Sequence, residues 1–174
     1  MALVVEDGTV VAGANAYITT TFADVYFAAR GNQIWVNLAR SQKEQAIVQA
    51  TDYIQYRWGR GLRGSVASIL QVLAFPRIYS YGGAAVIPVE VKYAAAEYAV
   101  RASQAPLAPD IILDQTGRLA IKTVEEVGPI REEVSYATNG MGGVALPSPF
   151  RPYPVPDALM QGLVRGTSNR VMRA

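Results

Sequence analysis

The 174-residue sequence holds no histidine and no cysteine, so any chemistry it performs falls to carboxylates, hydroxyls, arginines and three lysines. The first absence removes the usual general base and the commonest metal ligand. The second removes disulfides, thiolate zinc sites and the thiol nucleophile. Catalysis by Asp, Glu, Lys, Tyr or Ser is what remains. Two carboxylate pairs, Glu125/Glu126 and Glu132/Glu133, have the residue types for acid and base work. Adjacent strand residues face opposite ways, however, so each pair divides its side chains instead of converging them. Asp110 and Asp114 carry part of a calcium-loop spacing without the remaining ligands or the bidentate glutamate, which reads as a solvated turn.

The one basic run with an interleaved aromatic is Arg57-Trp58-Gly59-Arg60-Gly61-Leu62-Arg63. Such a run can hold phosphates by charge and bases by stacking. A structural reading competes with it. Trp58 is in helical phase with Ile54 and would close an apolar stripe, the glycines would end the helix, and Arg57, Arg60 and Arg63 would be solvated or pair with a neighbouring subunit. Neither these glycines nor Gly140, Gly142 and Gly143 precede the Lys-Ser/Thr of a phosphate loop. The residues imply no cofactor and no metal site, and a protein that binds instead of catalysing.

The elements that would position these residues are mainly helical. Thr21 with Asp24 resembles a capping box, followed by Phe22, Val25, Tyr26 and Ala29 on one face and a stop at Gly31. Trp35 lies in a short connection, where a large aromatic plugs a junction between helices. Ser41-Gln42-Lys43-Glu44 is a full capping box, with Ile47, Ala50, Tyr53, Ile54 and Trp58 behind it. A third helix runs from Pro88 to Ser103, burying Val91, Ala94, Ala95, Tyr98 and Ala102, with Glu97 and Arg101 paired on its wet side. Ala94-Ala95-Ala96 permits close helix packing. A short helix is expected over Ser65–Leu73, a turn at Gly82-Gly83, a small hairpin from Ala2–Val5 and Asn15–Thr20, and a second hairpin from Arg118–Val124 and Ile130–Tyr136 about Val127-Gly128-Pro129. The expected class is a mainly α small helical bundle with a short β-hairpin insertion and an extended C-terminal arm. Residues 1–138 form the core and 139–174 the arm.

That arm mixes glycine, proline and aromatics from Asn139 to Pro156, then offers Asp157 as cap of a short helix over Ala158–Val164 and a basic end. Its Phe150, Arg151, Tyr153, Leu159, Leu163, Arg165, Arg170, Met172 and Arg173 are the candidate partner-binding residues. Of the ten tyrosines, Tyr26, Tyr53 and Tyr98 are in helical phase and belong to the core, whereas Tyr153 in the arm suits an interface. Net charge is +2, yet residues 1–29, 30–77, 78–150 and 151–174 carry −3, +5, −3 and +3. Clusters of alternating sign suit self-association or docking. The hydrophobic fraction of 51% includes much alanine, and no stretch reaches the roughly 18 apolar residues of a membrane span. The N-terminal MALVVEDG lacks the basic region of a signal peptide, so the protein is expected to stay in the compartment where it is made.

Several ordered motifs together resemble one phage family: Met1-Ala2-Leu3-Val4-Val5-Glu6-Asp7-Gly8-Thr9 with Ala16-Tyr17, Ala29-Arg30-Gly31-Asn32 with Trp35, and Ala50-Thr51-Asp52-Tyr53 before Trp58-Gly59-Arg60. Gln71-Val72-Leu73-Ala74-Phe75-Pro76-Arg77, Ile87-Pro88, Lys122 to Ile130 and Leu159 to Gly166 extend the likeness over nearly the whole chain. Phe75 stands where tryptophan is common, and the apolar segment Val66–Leu73 also departs from the usual pattern. The sequence is similar to the head-to-tail connector, or adaptor, proteins of tailed bacteriophages, a family also labelled DnaT-like single-stranded-DNA-binding protein. The resemblance implies a structural virion protein, made in the host cytoplasm, that forms a homo-oligomeric ring, a dodecamer on the portal. It implies as partners the portal protein, a tail tube or nozzle protein, and genomic DNA passing without sequence specificity. The alternative it leaves is a replication-type protein that binds single-stranded DNA through Arg57, Arg60 and Arg63.

Overall fold

A computed structural model describes residues 2–80, 83–110, 120–126, 131–136 and 150–165, with backbone alone for 120–126 and 131–136. Helix α1, Thr20–Ala28, starts one residue before the expected cap. The Thr19 hydroxyl accepts from the Phe22 amide at 3.0 Å, which leaves Asp24 free for other work. Gly31 turns the chain at φ +63°, and the Asn32 amide closes on the Phe27 carbonyl at 3.1 Å. Asn32 then caps α2, Gln33–Val36, by accepting from the Trp35 amide. Trp35 is fully buried against Phe27, with ring centroids 5.1 Å apart. It donates its indole N–H to Asp24 at 2.8 Å, and Lys43 donates to the same oxygen at 2.9 Å. One carboxylate therefore joins three helices.

The long helix α3, Arg40–Trp58, begins at Arg40, with Ala39 as its cap residue. The reciprocal half of a capping box is present: the Gln42 side chain accepts from the Ala39 amide at 2.9 Å. Ser41 is thus inside the first turn, and Glu44 pairs with Arg40 at 3.0 Å instead of closing a box. Helix α4, Val89–Ala102, follows Pro88 as expected. Ala94, Ala95 and Ala96 are all fully buried, which lets α3 and α4 approach closely. Tyr53 and Tyr98 meet edge to face at 4.8 Å between them.

Differences from the sequence reading have local causes. On α1 the buried residues are Ala23, Tyr26 and Phe27, whereas Val25 is 67% exposed and Phe22 and Ala29 lie at the surface. Phe22, Val25, Tyr26, Ala29, Arg30 and Tyr93 instead line an open groove of about 520 Å³. The N-terminal hairpin is replaced by a single parallel bridge, Val5 to Ala16. The buried Glu6 carboxylate holds this corner, accepting from the amides of Gly8, Val10 and Val11. The expected helix over 65–73 is absent. Ser65–Val66, β1, pairs antiparallel with Arg77–Ile78, β2, and the loop between them uses side chains to satisfy backbone groups. Gln71 accepts from the Ser68 amide and donates to the Leu73 and Pro76 carbonyls, a local alternative to helical bonding. Gln55 accepts from the Ala74 amide at 2.6 Å, and Leu73 and Phe75 are buried. This fastens the loop to α3 and turns Ile69, Leu70 and Val72 outward, at 94%, 83% and 61% exposure.

The largest correction concerns the C-terminal segment. It was expected as an arm without a place on its own core, but Pro154–Gln161 forms α5, whose Met160 is fully buried and whose Pro156 and Asp157 are buried too. The helix starts at Pro154, so Asp157 is inside it instead of capping a later one. Beyond α5, Val164 bridges antiparallel to Leu62. The chain accordingly divides into Met1–Leu107 with Pro152–Ala174, and a second unit, Ala108–Arg151. In that second unit β3, Ala120–Glu126, pairs antiparallel with β4, Arg131–Tyr136, with Glu125 opposite Glu132 and Glu126 opposite Arg131. The fold is mainly α with this small hairpin. Val127-Gly128-Pro129, Asp114, Gly82 and Gly140 to Gly143 lie outside the described residues.

Met160→Ala should cost about 2–5 kcal/mol in urea unfolding, the range for truncating a buried methionine; a solvated arm would lose nothing. Burial pushes the Asp24 carboxyl up, but the Lys43 and Trp35 hydrogen bonds outweigh it and hold its pKa below the ordinary 3.8. Asp24 therefore adds stability above that value and loses it as pH falls through its lower folded value. Thermal melts of Asp24→Asn should show a flatter acid limb than those of the wild type.

Candidate functional site

Two clusters gather the residues singled out in the sequence. The first is closed. Arg57, from the last turn of α3, donates to Asp157 of α5 at 2.6 Å and to the Tyr53 hydroxyl at 2.6 Å. The other Asp157 oxygen accepts from Tyr98 of α4 at 2.5 Å, and the Tyr153 amide donates to the carboxylate at 2.8 Å. Trp58 donates its indole N–H to Tyr98 at 3.1 Å, and the Arg57 guanidinium lies 4.8 Å from the Trp58 ring. Tyr153 packs edge-on to Tyr53 and Tyr98 and donates to the Leu107 carbonyl at 3.0 Å.

Proton affinities follow this packing. Burial, reinforced by the hydrogen bond to Asp157, pushes the Tyr98 hydroxyl up. Burial alone would lower the Arg57 pKa, but the Tyr53 hydroxyl and then Asp157 more than offset it, so it is raised. Neither hydroxyl is a base at neutral pH, and Arg57 stays charged. The network clamps α3, α4 and α5 together.

The second cluster is open. After the 3-10 turn Gly59–Gly61, the Arg63 amide donates to the Leu163 carbonyl at 2.9 Å and the Arg165 amide to the Gly61 carbonyl at 2.8 Å. Leu62 is buried, whereas Arg60, Arg63 and Arg165 are exposed. The Arg63 Nε donates to the Val164 carbonyl at 2.9 Å. Beneath lies Arg77, 7% exposed, whose guanidinium donates to the carbonyls of Arg63, Ala74 and Gly64.

A family model described as "Putative DnaT-like ssDNA binding protein" matches residues 1–174. The chain belongs to that family. No curated protein and no solved structure matches it.

Within this DnaT-like chain, the 57–63 run is split by the fold. Trp58 ends the α3 stripe as expected; Arg57, expected to be solvated or to pair with a neighbouring subunit, instead pairs with Asp157 of its own chain, and Arg60 and Arg63 face solvent. Of the arm set, Tyr153, Leu159 and Leu163 are half-buried, and the Tyr153 ring packs on Tyr53 and Tyr98 of the chain's own core. Phe150 is half-exposed, Arg151 and Arg165 are exposed, and Arg170, Met172 and Arg173 lie outside the described residues. Sequence reasoning missed Asp157 as the clamp's acceptor and Arg77 as a buried cation. A lone aspartate after two prolines carries no signal of a partner a hundred residues away. Among the described residues no three Asp or Glu side chains come together to hold a metal, and no helix is long and apolar enough to cross a membrane.

Replacing one partner of a buried ion pair strands the other, so Asp157→Ala should cost about 3–5 kcal/mol in denaturant unfolding. The cost should fall well below the sum of the single losses in Arg57→Met combined with Asp157→Leu, a comparison made in one double-mutant cycle.

Proposed function

We propose that this chain is a non-enzymatic structural protein of the virion, a head-to-tail adaptor that joins a ring beneath the portal, extends the DNA channel and receives the tail. The observation that carries this reading is the loop bearing Ile69, Leu70 and Val72. It is pinned by Gln55 and Gln71, so the three aliphatic side chains are held outward instead of collapsing onto the core. Exposed aliphatic groups on a fastened loop suit burial against another protein. The open groove lined by Phe22, Val25 and Tyr93 supplies a second apolar surface. Segmental charges of alternating sign suit contacts between copies, and the resemblance of the ordered motifs to connector proteins supports the same reading.

A second reading has its own support. The family description names single-stranded DNA, Arg60, Arg63 and Arg165 are exposed, and Arg63 and Arg165 lie on paired backbone segments. Under that reading the protein acts in replication, away from the particle.

Mixing the full chain with purified portal and imaging the product separates the two. The adaptor reading expects a ring of this chain on the portal, and expects Ile69→Ser with Leu70→Ser to keep its melting temperature and fail to assemble. Absence of any portal complex, or unimpaired assembly of the folded variant, would sink it.

A further inference from the structure

The corner at Gly64 concentrates positive charge with no counter-charge among the described residues. Residues 61–63 and 163–165 form a two-stranded antiparallel ribbon about the Leu62 to Val164 bridge. Side chains alternate along such a ribbon, so Arg63 and Arg165 leave by one face while Leu62 is buried on the other. Gly61, paired with Arg165, puts no side chain on that shared face. The ribbon thus brings together two arginines that are about a hundred residues apart in the chain.

Arg77 supplies a third charge from below. Its Nη2 donates to the Gly64 carbonyl at 2.7 Å, and Arg165 Nη2 approaches the same oxygen at 3.5 Å. Two guanidinium groups therefore share one neutral acceptor. The ion pairs among the described residues are Arg40 with Glu44, Lys43 with Asp24, Arg57 with Asp157 and Arg101 with Glu97, and none reaches this corner. Carbonyls satisfy the donors of Arg77 without cancelling its charge. Burial pushes its pKa down, and Arg165 pushes it further against the opposing effect of Tyr79. A charge held in a low-dielectric interior projects its field through the surface above it.

The groups above are ready to receive an anion. Arg63 anchors its Nε on Val164 and leaves both terminal nitrogens without a protein acceptor among the described residues. Paired planar donors of this kind match phosphate oxygens. Tyr79 is 42% exposed and its Cδ1 lies 3.4 Å from where a Gly64 Cβ would stand, so an aromatic ring borders the same corner. Gly64 itself sits at φ +73°, and a side chain there would strike the Ile78 carbonyl oxygen at 2.5 Å, so glycine is what lets the corner pack this closely on Ile78.

We infer that Arg63 and Arg165, set over the buried Arg77, form a phosphate-binding site that takes the backbone of a nucleic-acid strand, with Tyr79 available to stack on a base. This deepens the DNA-contacting side of the reading above, and moves that contact from Arg57, Arg60 and Arg63 to a pair that only the ribbon creates.

The test uses the full chain, a labelled oligothymidylate and inorganic phosphate. Anisotropy titrations over a range of salt should show binding by the wild type, weakened about tenfold or more in Arg63→Gln combined with Arg165→Gln. Removing two phosphate contacts should also make the slope of log K against log salt shallower by about 1.4. Arg40→Gln with Lys92→Gln removes the same charge elsewhere and should change both far less. An unaltered melting temperature establishes that the double variant is folded, and Arg63→Lys with Arg165→Lys should fall between the two because it keeps the charge and loses the fork. In NMR, inorganic phosphate should shift the Nε resonances of Arg63 and Arg165. Equal affinity of wild type and double variant, or loss matched by the remote control, overturns the site. Phosphate shifts without oligothymidylate binding overturn the nucleic-acid assignment, and equal competition by polyglutamate does the same. Portal assembly is read separately, so failure here is distinct from failure of the adaptor reading.

Discussion

The Arg57 to Asp157 ion pair is the contact on which the arrangement of the first unit depends. It joins the end of α3 to α5 across a hundred residues of sequence, and Tyr98 brings α4 to the same carboxylate. A charge pair removed from water is expensive unless its remaining lone pairs and protons are used. Here Tyr53, Tyr98 and the Tyr153 amide use them, and the pair's side chains stay only 15% and 9% exposed. The C-terminal segment becomes part of the core because this network would be incomplete without it.

Once α5 is seated, the rest follows in sequence. Met160 fills the space beneath it, the chain leaves antiparallel to residues 61–63, and Arg165 arrives beside Arg63. Two surfaces of different character result. One is aliphatic, the pinned loop at Ile69, Leu70 and Val72; the other is cationic, the corner over Arg77. The proposed adaptor role rests on the first surface, and the family's single-strand description leads to the second.

Much was legible in the residues taken alone. The stripes at Ile47, Ala50, Tyr53 and Ile54 and at Val91, Ala94, Ala95 and Tyr98 declare helices whose buried faces the structure repeats. Trp35 as a plug and Trp58 as the end of a stripe also follow from phase, since periodicity and burial are the same physical fact at helical spacing. The helix caps fall two residues before the expected Thr21 and Ser41: Thr19 accepts from the Phe22 amide while Asp24 is taken by Trp35 and Lys43, and at Ala39 the capping bond comes from the Gln42 side chain.

What only tertiary structure decided concerns groups whose partners are remote. Composition marked the last thirty-six residues as glycine- and proline-rich, and nothing local says that Tyr153, Asp157 and Met160 find a groove between α3 and α4. Nor does spacing show that Ser65–Leu73 prefers side-chain hydrogen bonds and a two-residue ladder to a helix, since Leu73 and Phe75 gain burial only when α3 is already beneath them. The sequence by itself determined that the protein lacks imidazole and thiol chemistry, that it is built on helices, and that its charges come in blocks. Which arginines are locked and which are offered to a partner was settled by the fold, because electrostatic roles depend on distance and burial, and chain order encodes neither.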